Sequence, residues 1–330
     1  MSDGAPQAAP GWYPDPYSPS RLRYWDGAQW TDHYHQGDGT LPGVGEWLGT
    51  SFSAIGAYGI PALGLAFGAT FAVNVVTAGL LRWVAGDLAV VDEEFVGSLS
   101  GLVTRALLAV LVLALMQGWV WLAINRFMQR AHLQAEPTIP DAVSHALVRL
   151  PRMIGVFLLV AAAATGAYLI AIILAALTQS AAVIVLVVLA LIPFSVWLMV
   201  KVSFLSAAVV AAPTSTGAIQ ASMSVSKGRF WPVLGRVLLL TIMVWVVSAS
   251  LGAALGDLGS PVNQDALNDT FVTRGDDIIV RDFRFRDFLP GTGSLIPYLI
   301  VSSIISAAGG LVTTSGFMRL YLDSGAPSEL

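Results

Sequence analysis

The 330-residue chain has no cysteine and little charge. Without a thiol it can form no disulfide, no thiolate metal site and no cysteine nucleophile. Only 12% of its residues are charged, against about a quarter in ordinary soluble domains, while 55% are hydrophobic. Mean hydropathy is +0.71. That balance excludes a disordered chain and a soluble enzyme, because so much apolar surface needs lipid to cover it. A net charge of -4 offers no basic surface to a nucleic acid,. Catalytic signatures are missing too: no glycine-rich phosphate loop, no HExxH, no Gly-x-Ser-x-Gly elbow and no paired carboxylates in the apolar core. His132 and His145 stand alone near lipid, and no nucleophile has a base in reach,. The expectation is a protein that is not an enzyme, with no cofactor and no metal.

What the chain does have falls into two parts. Residues 1–9 read as a loose tail, and residues 10–36 as a small tryptophan-rich β module. Asp26-Gly27 lies between two aromatic runs and predicts a hairpin with a two-residue turn, positive φ at both positions,. In that register Trp25 opposes Ala28 and Arg23 opposes Trp30, so Arg23 can lie over the Trp30 ring, with Trp12 as lid,. About 30 residues cannot build an ordinary core, so the tryptophans must supply it. Alternatively one ring stays exposed and docks a partner, which makes Trp12, Tyr24, Trp25 and Trp30 the candidate partner-binding residues. His33 and His35 around Asp32 are a poor metal ligand set, and a solvated turn explains them,.

Pro10-Gly11-Trp12-Tyr13-Pro14-Asp15-Pro16, then Arg23-Tyr24-Trp25-Asp26-Gly27 and Trp30-Thr31, resembles the actinobacterial domain of unknown function number 2510 over about residues 10–36. That resemblance implies an N-terminal module on a membrane or envelope protein of that lineage, and no reaction.

After a linker at 37–46 the chain reads as a polytopic, mainly α domain over 47–320, with a tail at 321–330. Six apolar stretches can each span a bilayer, which takes about 20 residues. They lie near 57–82, 102–125, 153–177, 181–205, 233–255 and 294–318. Three helical hairpins follow, the second closed by Thr178-Gln179-Ser180,. With the N-terminus inside, the inner segments hold 11 of the 17 basic residues, so the charge rule favours both termini in the cytoplasm,. The expected location is the plasma (inner) membrane.

Pro61-Ala62-Leu63-Gly64, Arg152-Met153-Ile154-Gly155 and Pro232-Val233-Leu234-Gly235 each open an odd-numbered span. Each follows a segment of helical period: Trp47 to Ile55, Ala142 to Leu150 and Ala218 to Val225. The reading is three copies of an interfacial amphipathic helix plus a transmembrane hairpin. In the second, Ala142, Val143, Ala146, Leu147 and Leu150 share a face. Lys227, Arg229 and Trp231 form a basic-aromatic knot at headgroup depth and are the candidate lipid contacts,. The surface helix, the Lys227-to-Gly235 run and the apolar hairpin resemble the non-catalytic membrane domain beside some glycerophosphodiester phosphodiesterases, over about residues 42–320. That likeness implies an architecture and carries over no catalytic residue.

No Asp, Glu or His falls in the middle of a span, which counts against a proton relay,. Asn74, Gln117, Ser195, Ser248, Ser302, Ser303 and Ser306 are mild polar groups suited to helix contacts,. Gly64-x-x-x-Gly68 and Gly252-x-x-x-Gly256 allow close helix approach, and Gly309-Gly310 suggests tight packing. In the outer loop at 256–293, Phe271 to Thr273 and Ile278 to Phe288 predict a β-hairpin, with Phe283 and Phe285 on one face,. The expected role is a membrane-anchored adaptor that recruits an unidentified cytoplasmic protein. Alternatives are a permeation subunit, with Asn74, Gln117 and Ser195 along its path, or a lipid-handling accessory protein. The expected partners are the bilayer and that unidentified cytoplasmic protein, and homo-oligomers stay open.

Overall fold

The computed structural model describes residues 9–15, 18–36, 41–85, 95–255, 271–274, 277–280 and 292–325. Three strands come first: β1 (Gly11–Asp15), β2 (Ser18–Trp25) and β3 (Trp30–Gln36), an antiparallel sheet in that order. Helices follow as α1 (Val44–Ala57), α2 (Gly59–Ala85), α3 (Phe95–His132), α4 (Ile139–Thr178) and α5 (Ala181–Val202). Next are α6 (Leu205–Ala211), α7 (Ser215–Val225) and α8 (Phe230–Leu255). A small hairpin, β4 (Phe271–Arg274) and β5 (Asp277–Val280), precedes the last helix, α9 (Thr292–Asp323).

Six stretches of helix among the described residues are long and apolar enough to cross a membrane: Gly59–Val84, Gly101–His132, Ile139–Thr178, Ala181–Ala211, Phe230–Ala254 and Gly293–Asp323. The chain is therefore a helical protein of multi-pass membrane type carrying a small N-terminal sheet. The number and order of the spans are those read from the sequence.

Local signals explain the helix ends. Thr138 caps α4 by accepting from the Asp141 amide, and Pro140 sits where no N–H is needed,. The α4–α5 hairpin turns through Gln179 at φ 47°, so two residues suffice where the sequence suggested three. Thr214 caps α7 by accepting from the Gly217 amide at 3.0 Å.

Four details depart from the sequence reading. The Asp26-Gly27 hairpin is not a two-residue turn: Trp25 pairs with Trp30, and Arg23 with Tyr34. Only Gly27 of the loop has positive φ, at 99°, because Asp26 takes a different part. Its carboxylate accepts from the Ala28 and Gln29 amides, both at 2.7 Å, and closes a four-residue loop,.

The second surface helix is not separate either. Ala142 to Leu150 belongs to α4, which continues through Pro151 for 40 residues. At 1.5 Å per residue that is about 60 Å, twice the hydrocarbon thickness. Ala142 and Ala146 are buried, but Leu147 is exposed, so the expected apolar face is narrower.

Third, a Cβ at Gly64, Gly68 or Gly252 would meet nothing within 4 Å, so those glycines mark no close crossing. Gly256 lies outside the described residues. Close packing is at Gly309, as expected, and also at Gly316. A Cβ would lie 2.9 Å from Val244 Cγ1 at the first and 2.5 Å from Leu240 Cδ1 at the second.

Last, the loop hairpin is present, with Arg274 opposite Asp277, but β5 ends at Val280. Phe283 and Phe285 lie outside the described residues.

The helices and sheet divide into two compact units. The first comprises Met1–Pro61, Trp121–Ile242 and Val312–Leu330; the second comprises Ala62–Val120 and Met243–Leu311. In the first, Trp47, Phe127, Phe204, Leu240, Met318 and Tyr321 are fully buried, and α6 is buried along its length. The two apolar helices α4 and α5 contribute little to that core and present Leu158, Ile170, Leu177, Leu186 and Ile192 outward, as lipid-facing helices do,. In the second, Asn74 Nδ2 on α2 donates to Ser303 Oγ on α9 at 2.9 Å.

Candidate functional site

The N-terminal sheet brings part of the aromatic set together. Trp25 and Trp30 are directly cross-strand, ring centroids 5.3 Å apart and edge to face. Tyr13 adds a second edge contact to Trp30 at 6.5 Å. Such pairs contribute about 0.5–1.5 kcal/mol each beyond their buried area. Both tryptophans are half-buried, because a sheet of three short strands has nothing thick enough to cover them.

Arg23 Nε donates to the Thr31 carbonyl at 2.6 Å, and Thr31 Oγ1 donates to the Tyr24 carbonyl at 2.9 Å. These two bonds bridge β2 and β3 where the ladder loses register between Arg23 and Trp25,. Trp12 pairs with Tyr24 along the backbone, but the Trp12 side chain lies outside the described ones, as do those of His33 and His35. Asp26 is fully exposed, and hydrogen bonds from the Gln29 and then the Ala28 amide hold its carboxyl below the ordinary value,.

Residues 10–42 match a family of unknown function, DUF2510. The DUF2510 module thus covers the whole sheet and reaches the linker, a tenth of the chain. No curated protein matches the chain, and no solved structure does.

The expected lipid-contact residues diverge. Trp231, at the start of α8, is 76% exposed, and Lys227 is exposed. Arg229 is half-buried and donates to the Ser324 carbonyl at 3.2 Å; burial holds its guanidinium below the ordinary value. The polar residues assigned to a path separate as well. Asn74 and Gln117 line one cleft of the second unit. Ser195 belongs to the first unit, where it donates to the Leu191 carbonyl and lies 2.7 Å from Tyr168 Oη.

A polar seam through the first unit was not anticipated. Arg126 Nε is 3.0 Å from Asp141 Oδ2, and its Nη1 donates to Gln129 at 3.0 Å. His132 Nε2 lies 3.1 Å from both the carbonyl and the hydroxyl of Ser315, and Ser315 Oγ donates to the Ser51 carbonyl. Trp47 Nε1 donates to the Gly316 carbonyl at 3.1 Å. Arg236 stands over the Trp47 ring, 5.7 Å from its centroid, and donates to the carbonyls of Pro42 and Pro232. Arg319 and Asp323 form a buried ion pair at 2.9 Å. Arg149 and Arg152 both donate to the Ala212 carbonyl at the end of α6, each at 2.9 Å.

The signal was available: Asn125, Gln129 and His132, like Ser315, Arg319 and Asp323, recur at helical spacing on one face,. Ending the spans at 125 and 318 hid it, since the helices run on to His132 and Asp323. All these groups hold protein carbonyls or one another, so the seam reads as a fastening. Among the described residues no group of three His, Asp or Glu side chains could hold a metal.

Proposed function

We propose that this is a non-enzymatic membrane protein whose DUF2510 module recruits a cytoplasmic protein to the bilayer. The observation that carries the reading is the cross-strand Trp25–Trp30 pair, half-buried on a sheet too thin to cover it. Aromatic pairs left partly open in this way are suited to anchor partner segments. Trp12, Tyr24, Trp25 and Trp30 remain the residues of choice for that contact. Charge bias along the chain supports cytoplasmic termini in the plasma (inner) membrane, and the likeness at residues 10–36 supports an actinobacterial source. The phosphodiesterase-type membrane likeness supports a non-catalytic bundle. The test is capture of the full-length protein from its native membrane beside Trp30→Ala. A protein enriched with the intact chain and lost from the variant is expected, and lost equally from Tyr24→Ala, which leaves the Trp25–Trp30 ring contact in place. Equal enrichment, or none, overturns recruitment.

The second reading is a lipid-handling accessory. Trp231, 76% exposed beside Lys227 and Arg229, favours it,. A lipid that co-purifies with the intact chain, and is lost from Lys227→Gln/Trp231→Ala, would select it over the first.

A further inference from the structure

Among the described residues, Gln117 is the one amide of the spanning helices with no hydrogen bond. The other three have partners. Asn74 donates to Ser303, Asn125 donates to the Trp121 carbonyl, and Gln129 accepts from Arg126. Gln117 stands exposed on α3.

Charge along the helix gives its depth. Arg105 and Arg126 are the charged residues nearest to Gln117 on α3, 21 positions apart. That is about 32 Å of helix, close to the hydrocarbon thickness of a bilayer. Gln117 therefore lies within about 2 Å of the midplane, at 1.5 Å per residue. An amide left open there is costly, because no water reaches it. Lipid chains can cover the outward faces of α4 and α5, but they offer Gln117 neither donor nor acceptor.

Gln117 is also one member of a seam. Val103, Leu107, Val110, Ala114 and Gln117 are all exposed and follow one another at intervals of 4, 3, 4 and 3. A mean step of 3.5 residues is the repeat on which two helices wrap around each other. Ala109 and Val120, off the seam, are buried in their own unit, so the seam looks away from that interior. Ala114 is small and lets a second backbone approach one turn before Gln117. Both residues line the open groove between α2 and α3.

Depth selects the occupant. Two copies of one membrane protein insert the same way, so a two-fold axis between them runs along the membrane normal. Each residue on that axis then meets its own counterpart at the same level. A carboxamide both donates and accepts, so it complements a second carboxamide. The seam carries no charge, and no like charges meet along it. Any other partner would have to bring a polar group of its own to the midplane.

We propose that the Val103-to-Gln117 face of α3 is a homodimer interface within the membrane, with the Gln117 amides of two copies hydrogen-bonded to each other. The assignment rests on the membrane reading alone, so failure of recruitment leaves it standing.

The test exploits the absence of cysteine. Single-thiol variants of the full-length protein are reconstituted in vesicles of phosphatidylglycerol and phosphatidylcholine and oxidised with copper phenanthroline. Val110→Cys and Ala114→Cys should give a covalent dimer of twice the 34.8 kDa chain. Leu108→Cys and Val112→Cys, also exposed but off the seam, should not. Equal cross-linking at all four would mean random collision, and none at 110 or 114 would mean no interface; either overturns the proposal. Affinity is then read from the dimer fraction against the protein-to-lipid ratio, by single-molecule photobleaching of dye-labelled chains. Gln117→Leu should weaken association by about five- to thirtyfold, the range for an interhelical hydrogen bond in lipid, and Gln117→Asn should keep most of it. Undiminished association in Gln117→Leu would sink the amide pairing. Should that variant fail to fold, Ala114→Phe, which fills the crossing, carries the same test, and unchanged association there overturns the interface.

Discussion

Trp47→Ala removes the side chain that fastens α1 to the rest of its unit. Trp47 is fully buried, donates to the Gly316 carbonyl at 3.1 Å, and carries Arg236 over its ring. Truncating a buried tryptophan to alanine costs about 3–5 kcal/mol. Trp47→Phe keeps the ring for Arg236 and loses only the N–H. The Gly316 carbonyl lies within α9, so its helical acceptor role survives and the loss should be about 1 kcal/mol. Because the chain has no cysteine, a lone thiol can report on opening. Ser51 is buried on α1, one turn beyond Trp47, and Ser51→Cys is nearly isosteric. With opening fast relative to labelling, thiol modification in Ser51→Cys/Trp47→Ala should be faster by about two to four orders of magnitude, since each 1.4 kcal/mol is tenfold. The Phe variant should differ by about tenfold or less. A rate for the Ala variant within tenfold of the parent would mean that other contacts hold α1, and the fastening argument would be wrong.

Trp25→Ala should unfold the sheet and leave the helices inserted, seen as proteolysis confined to residues 9–36; loss of insertion would refute the two-part division. The Asp26 carboxyl is depressed in the folded loop, so its contribution is present above its ordinary value of 3.8 and is lost as pH falls through the lower folded value,. Tryptophan fluorescence should report a module that loosens at acid pH, and Asp26→Asn should flatten that dependence. Gly316→Val should destabilise the first unit against Leu240, whereas Gly68→Ala, with open space around it, should be neutral or stabilising by up to about 1 kcal/mol in denaturant titrations,. Asp323→Asn should destabilise by about 3–5 kcal/mol by leaving Arg319 buried without its carboxylate, while Arg319→Met/Asp323→Leu should recover most of it,.

The span count was legible because a run of about 20 apolar residues has few other fates in a chain this poor in charge. The Thr178-Gln179-Ser180 break marked a helix end for a local reason, whereas the Thr138 cap three residues before Asp141 was not read from the sequence. The hairpin register was not legible. Asp26 can close a loop with its side chain or yield to a two-residue turn, and the choice depends on which pairing Trp25 and Trp30 prefer. Close packing was legible at Gly309 and misassigned at Gly64 and Gly68, since a glycine pattern does not say which face meets a neighbour. The polar seam was missed because hydropathy averages over a window. Asn125, Arg126, Gln129 and His132 fall just past an apolar run, and helical phase, rather than mean hydropathy, reveals that they face inward. Among the candidate site residues, Trp25 was set opposite Ala28 and Trp30 opposite Arg23, whereas the two tryptophans face each other.

Arg236 also sets how far the module can travel. It grips the Pro42 carbonyl, and the last strand residue before it is Gln36. Six residues, fully extended, reach roughly 20 Å. If the module recruits as proposed, a protein held by Trp25 and Trp30 would stay within that reach of Pro42. Its local concentration beside α8 would then be in the millimolar range typical of short linkers. Weak contacts at the sheet would then be enough to keep such a cargo at the bilayer, and lengthening the stretch between Gln36 and Pro42 would dilute it without touching a single binding residue.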